Sequence, residues 1–560
     1  RLHAHQEYYA IEHLMALKND ILTEMQQFIR RLYEHLGEED RILLFSPSVS
    51  KQAAEAKMTL TPVIFLSKQM TSGERMLTSG STRRAGIVTY ADIAPTILKY
   101  FHIDVPSKMT GSAMQLVEEK SEESGDEAYG PANGPAASAH AASHSSTLSF
   151  FQNELKNMQA VYQLRFPLLY SFAVYEMLVL LIGLLTSIRG LQLPRPRVMN
   201  ILLFTLIWAP AVMLWSAAFA QHVVIQTTFI LLVTTGISVI SSRWPLYHSL
   251  FAAGFITAGS IIVDGLTGGV LIQHSVLGYD PMIGARYYGI GNEYMGVLIG
   301  AAVLMCAAGM QFVSVRRRGK QGGLQGEAGS VYVPELAQPD ADPGVQKQVS
   351  AEMKACFYAV LILFALLTFY MIHPRLGTNF GGSVTAAAAG GWLALRLYEH
   401  IFRKRVLMKK LMLYVGSIAL FVAAAIVAVH MFQAEGQASH IGKAIRMLAD
   451  KEYDMLWGII VRKLQMNWHL VNVSSWSKVF ITGLFILSAG LLRPSGMFKT
   501  WHMHRPLLSV GFSAIALGAI VAFIFNDSGV VAAATMIIYA VAPMLLLSQR
   551  LADKTESVAE

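Results

Sequence analysis

LLSVGFSAIALGAIVAFIF (507–525) runs without a charged or amide side chain. A hydrocarbon core of about 30 Å needs about 20 apolar residues in a helix rising about 1.5 Å per residue. ILLFTLIWAPAVMLWSAAFA (201–220) has the same character, and Leu178–Leu185 forms the apolar heart of another such run. Read outward from these, the sequence predicts eleven spans: about 166–188, 199–220, 223–241, 246–263, 292–313, 355–372, 383–398, 411–430, 477–492, 506–525 and 529–548. The expected fold is an α-helical polytopic membrane bundle with a small extracytoplasmic α/β domain before it. Composition agrees, at 53% hydrophobic and 15% charged residues with a mean hydropathy of +0.42.

The formal net charge is +8, but its basic clusters fall between apolar runs: Arg189/Arg195/Arg197, Arg316–Arg318 with Lys320, Arg403–Arg405 with Lys409/Lys410, and Lys499 with Arg505. That is the pattern left when positive loops stay in the cytoplasm, and it argues against nucleic acid as a partner. Placing every cluster inside is self-consistent with an odd number of spans. It puts residues 1–165 outside, the tail 549–560 inside, and loops 221–222, 264–291, 373–382, 431–476 and 526–528 on the outer face. Cys306 and Cys356 lie in or beside apolar runs, so no disulfide framework is expected. The chain starts at Arg1 with neither an initiator methionine nor a signal-like apolar segment, which predicts a natural start further upstream.

Residues 1–118 read as the soluble domain. Glu12–Leu36 has helical periodicity with Ile21, Met25, Phe28, Ile29 and Leu32 on one stripe, while RILLFS (41–46) and PVIFL (62–66) look like short buried strands. In VTYADIAPTILKYF (88–101) Asp92 is expected to cap a helix with Pro95 in its first turn. Residues 119–148 are low in complexity and read as a disordered linker. The polytopic region is then 149–548, with a flexible cytoplasmic insert at 321–353.

Gly86, Val88, Asp92–Leu98, Pro106, Met109 and Gly111 occur in the order found near the end of an alkaline-phosphatase-superfamily domain. The first 115 or so residues resemble the C-terminal part of that family. The resemblance implies a phosphatase-like α/β fold, but the family's metal ligands are replaced: Pro47 and Ser48 stand where Asp and His are expected, and Lys57 and Met58 where a further His is. Two-metal phosphoryl transfer needs those ligands. A binding or scaffolding domain without metals is therefore expected, and no cofactor.

Chemistry is expected in the loops between spans. DGLTGGVLIQHSVLGYDPMIGARYYGIGNEYMG (264–296) carries Asp264, Asp280, Arg286, Tyr288, Asn292 and Glu293 among glycines. An arginine fork can hold a phosphate, a tyrosine can stack on a sugar ring, and a helix N-terminus can receive an anion. Arg286, Glu293 and Asp280 are the catalytic candidates, with Arg286 on a diphosphate and either acid as base. Asp264, Tyr288, Asn292, Arg375, Asn379, Asn526 and Asp527 are the ligand-binding candidates at span ends. In the loop 431–476 one or two interfacial amphipathic helices are expected, with Arg462 and Asn467 near lipid phosphates. His274, His373, His430 and His440 lack metal-ligand spacing, and no metal is expected. Glu176, inside the first span, is a pathway or packing candidate.

Three readings of function follow. The first is an enzyme of cell-envelope glycans or lipid-linked intermediates. Arg286, Gly289 and Asn292 at a span boundary are weakly similar to polytopic ligases of that kind. The second is a transporter or flippase with Asp264, Asn379 and Asp527 along a path, and the third a non-catalytic scaffold or receptor. The expected partners are the bilayer and a lipid-linked glycan or anionic lipid. Substrate and oligomeric state are left open.

Overall fold

The computed structural model describes residues 11–69, 75–106, 109–118, 147–189, 196–219, 222–321, 343–402, 416, 453–491 and 505–556. They divide into two compact units, one built from residues up to Leu77 with Leu116–Glu118, the other from Thr78–Gln115 and Thr147 onward. Residues 78–115, read above as part of a single 1–118 domain, thus belong with the helical unit.

In the first unit α1 (Ile11–Glu34) precedes β1 (Ile42–Phe45), α2 (Lys51–Glu55) and β2 (Val63–Leu66). β1 and β2 pair antiparallel, Ile42 opposite Leu66 and Phe45 opposite Val63. The apolar stripe of α1 has helical register, yet Ile21, Met25, Phe28 and Leu32 all remain exposed. β3 (Arg75–Ser79) and β4 (Met114–Glu118) make a second two-stranded sheet.

In the second unit a single 3-10 turn, Tyr90–Asp92, leads into α3 (Ile93–Tyr100), so Pro95 does fall in the first turn. Asp92 does more than begin that helix. Its buried carboxylate accepts hydrogen bonds from the Thr89 amide at 2.8 Å, Ser79 Oγ at 2.7 Å, Ser81 Oγ and the Ser112 amide at 2.8 Å. This carboxylate ties β3, the turn and the strand entry together, because a buried anion needs several donors to offset its lost hydration.

The bundle follows as α4 (Thr147–Arg189), α5 (Pro196–Trp215), α6 (Val223–Arg243), α7 (Leu246–Leu266), the short α8 (Val270–His274), α9 (Asn292–Gln321), α10 (Pro343–Ile372), α11 (Phe380–Phe402), α12 (Tyr453–Val473), α13 (Ser475–Leu491), α14 (Pro506–Phe525) and α15 (Gly529–Glu556). Among the described residues eight helices are long and apolar enough to cross a membrane, and nine if the bent pair at 465–491 is one span. The chain is therefore a helical, multi-pass membrane protein.

Of the eleven expected spans, 411–430 lies outside the described residues. The span expected at 383–398 is helical as α11, although Arg396 and Glu399 near its end, joined by an ion pair at 2.6 Å, lower its apolar character. α12 meets α13 at a 90° bend, so a helix stands at 453–473 in the loop expected to hold interfacial helices, and the upstream part of that loop lies outside the described residues. The expected insert is shorter at both ends, since α9 runs on to Gln321 and α10 begins at Pro343.

Small residues decide which helix stands in the centre. Without water there is little hydrophobic drive between helices in lipid, so close approach and packing govern their association. α15 is rich in alanine, and its membrane-length segment, Gly529–Gln549, is enclosed along its whole length. A methyl group at Gly296 of α9 would stand 2.2 Å from Ala532 O, and one at Gly300 would stand 2.9 Å from Met536 O. These two glycines, one turn apart, let the α9 and α15 backbones touch. At the other extreme, α6 has only 22% of its membrane-length window buried and presents Leu231, Leu232 and Ile240 outward.

A candidate functional site where four span ends meet

α9 and α11 begin, and α10 and α14 end, around a shared cluster of loops. Gly289 makes their closest approach possible. Its φ is +77°, and a Cβ there would lie 2.5 Å from Gly377 O, so only glycine fits without strain. The Ile290 amide then donates to that same carbonyl at 2.8 Å, joining loop 264–291 to loop 373–382. Asn379 completes the join. Its Nδ2 donates to Ile290 O at 3.2 Å and to Asn292 Oδ1 at 3.4 Å, while its Oδ1 accepts the Gly382 amide at 2.7 Å.

Arg286 comes to this junction, donating from one guanidinium nitrogen to Thr378 O at 3.4 Å. Burial lowers its pKa from the ordinary value, and Tyr288, Tyr279, Asp527 and Glu293 surround it electrostatically and oppose that shift. No carboxylate stands within ion-pair distance of it among the described residues. The neighbouring arginines differ. Arg165 of α4 pairs with Glu293 Oε1 at 2.6 Å and also donates to Gly278 O. Arg84 pairs with Glu154 of α4. Arg83 lies over the Tyr288 ring at 4.4 Å and donates to Pro374 O. Stacking of this kind orients a guanidinium without neutralising it.

Glu154 also faces His274 Nε2 at 3.4 Å, while His274 Nδ1 faces Val270 O at 2.9 Å. Both ring nitrogens thus meet acceptors. Asp280 is buried. Its Oδ1 accepts the Met282 amide at 2.8 Å, and its Oδ2 has no partner among the described residues. Burial raises its carboxyl above the usual range, against the pull of that amide and of Arg165.

The remaining expected residues divide into those joined to the cluster and those apart from it. Asp527 is exposed beside Arg286. Asn526 is buried, its Nδ2 donating to Ala522 O at 2.9 Å. Asn467, expected at lipid phosphates, is buried instead. Its Nδ2 donates to Asn526 O at 2.9 Å and Phe523 O at 3.2 Å, and its Oδ1 accepts the Gly529 amide at 2.8 Å. All of its hydrogen-bonding capacity in those directions goes to the α14–α15 turn. Asp264 is likewise engaged, accepting the amides of Leu271 at 2.8 Å and Ile272 at 2.9 Å and so fixing α8. Arg375 and Arg462 are exposed, and the Arg375 amide donates to His373 Nδ1 at 3.2 Å.

Comparison with protein families, curated proteins and solved structures finds no match. The site must be read from its own chemistry.

Sequence reasoning passed over Arg83, Arg84, Glu154 and Arg165 as functional residues. Glu154 and Arg165 carried one signal, since eleven residues is close to three helical turns and places both on one face of α4. Charges repeated on one face just ahead of an apolar run mark a polar seam rather than a flank.

Proposed function

We propose that this junction binds the phosphate or diphosphate of a lipid-linked cell-envelope intermediate, on the outer face of the membrane. The observation that carries the reading is Arg286: a half-buried guanidinium with one long hydrogen bond and no carboxylate partner among the described residues, beside two arginines that are each paired. A planar fork with unused donors in a partly desolvated place suits a phosphate oxygen pair. Tyr288, held by Arg83, supplies a ring face for a sugar, and Asn292 at the start of α9 adds the positive end of a helix dipole. Glu293 and Asp280 are the carboxylates able to take a proton from an acceptor hydroxyl. The basic loops support the outward assignment of this junction. The phosphatase-like resemblance of residues up to about 115 fits a phosphate-bearing partner without requiring metals.

The test is binding by the full-length protein in nanodiscs, titrated separately with inorganic pyrophosphate and with a polyprenyl diphosphate. Arg286→Ala should weaken both by about tenfold or more, the scale of one charge-assisted hydrogen-bond pair. Arg286→Lys should recover only part, since it keeps the charge and loses the fork. Equal affinity in wild type and Arg286→Ala would sink the reading.

A further inference from the structure

Away from that junction, α4 carries Glu176 with no exposed surface at all. Both carboxyl oxygens are enclosed, and neither has a hydrogen-bond partner among the described residues. No lysine, arginine or histidine of the described residues forms an ion pair with it. Tyr539 of α15 interacts electrostatically with Glu176 and also meets Thr257 of α7. Tyr539 Oη donates to Ile207 O of α5 at 3.3 Å, and Thr257 Oγ1 is itself buried. Tyr539 and Thr257 stand midway along the 21-residue helices Gly529–Gln549 and Leu246–Leu266. The cluster therefore lies near the middle of the bilayer's depth.

A carboxylate anion there would have lost its hydration with no counter-ion to replace it, at an effective cost of several kcal/mol. A carboxylic acid would not, because the neutral group needs only ordinary hydrogen bonds. We propose that Glu176 is a proton-binding site buried at mid-membrane depth, occupied at neutral pH, with the Tyr539 hydroxyl as its polar neighbour. No charged group among the described residues is hydrogen-bonded to it. Tyr539 comes from α15, Thr257 from α7 and the Ile207 carbonyl from α5, and Tyr175 of α4 is directed instead to Thr205 Oγ1 at 2.6 Å. The ligand is thus a proton, and its release forces the α4, α5 and α15 contacts to admit water or a cation. This inference does not depend on the Arg286 reading, which concerns a different part of the bundle.

The test uses a membrane-permeant hydrophobic carbodiimide on the full-length protein in proteoliposomes. The reagent takes up the proton of a protonated carboxyl while the carboxyl oxygen bonds to its central carbon. The acyl group then shifts to nitrogen as a stable N-acylurea, with no atom lost. Peptide mass spectrometry should find the adduct on Glu176 at neutral pH, diminishing as the pH is raised, and Glu176→Gln should lose it. Infrared spectra of the same samples should show a protonated-carboxyl carbonyl band that Glu176→Gln removes. Absence of both the adduct and the band at neutral pH overturns the proposal. Protection of Glu176 by sodium at constant pH, with no carboxyl band, overturns it in favour of a metal-cation site.

Discussion

Glu154 and Glu176 stand on the same helix, α4, and are both withdrawn from solvent, yet they live in opposite electrostatic worlds. Glu154 lies against the Arg84 guanidinium and faces the His274 ring, whereas Glu176 has no partner for either oxygen among the described residues. The difference follows from where on the helix each one falls. Near the loop junctions the chain can bring in arginines from flanking segments, so an anion can be matched. At mid-span every neighbouring element is an apolar helix, and placing a counter-charge there would cost as much as the charge it answers. A glutamate at the junction is therefore part of an ion-pair lattice, and one at mid-span serves as a neutral acid.

The largest expected effect comes from breaking the matched pair. Arg84→Ala leaves Glu154, whose side chain is 12% exposed, with only His274 and the Asn157 amide beside it, and should cost about 3–5 kcal/mol of stability. Thermal unfolding in one fixed detergent measures it, and combining Arg84→Ala with Glu154→Gln should recover part of the loss. A loss no larger than that of an exposed control such as Arg375→Ala would erase the contrast.

A neutral clamp should matter less than an ion pair. Asn467→Ala strands the Gly529 amide and removes the bonds to Asn526 O and Phe523 O, for an expected cost of about 2–3 kcal/mol. The same unfolding assay checks it, and a value near zero would mean that the α14–α15 turn holds without its amide.

Asp280 lies between the two extremes, with one oxygen satisfied and one not. Burial raises its carboxyl above 3.8, so the folded state holds the proton more tightly than the unfolded one. Its contribution is full below the unfolded value and is lost as the pH rises through the raised folded value. Asp280→Asn should flatten that part of the stability–pH curve. An unchanged slope would place Asp280 with the matched carboxylates instead.

The smallest effect is expected at the most deeply buried acid. Glu176→Gln replaces a neutral acid by a neutral amide of the same shape and should change stability by less than about 1 kcal/mol. A cost equal to that of Arg84→Ala would show that Glu176 is an anion with a counter-charge, and the two glutamates would then be alike.

What the sequence showed clearly was the part governed by local chemistry. A run such as 507–525 can hardly be anything but a span, because its backbone has no other way to satisfy its polar groups in lipid. The positions of Arg286, Asn292 and Asn379 at span ends were legible for the same reason, and so was a helix before α13. Partnership across distance was not. Arg165 and Glu293 look like ordinary flanking charges until folding brings together residues 128 positions apart. Asn467 sits among exposed neighbours on an amphipathic helix, with nothing nearby to show that its amide is spoken for by a turn 59 positions later. The stripe on α1 misled in the other direction, since periodicity fixed the helix but did not supply anything in the described residues to cover it.

The enclosure of α15 has a consequence for biogenesis. Among the described helices it comes after α4, α5, α9, α13 and α14 in the chain, yet it packs against each of them and its membrane-length segment is enclosed. During synthesis the earlier helices must enter the bilayer and wait around a vacant axis, their glycine and alanine faces turned toward lipid or toward one another. The packing of these helices cannot reach its final form until the ribosome has delivered α15, so they are closed from within by a later arrival rather than built outward from an early nucleus.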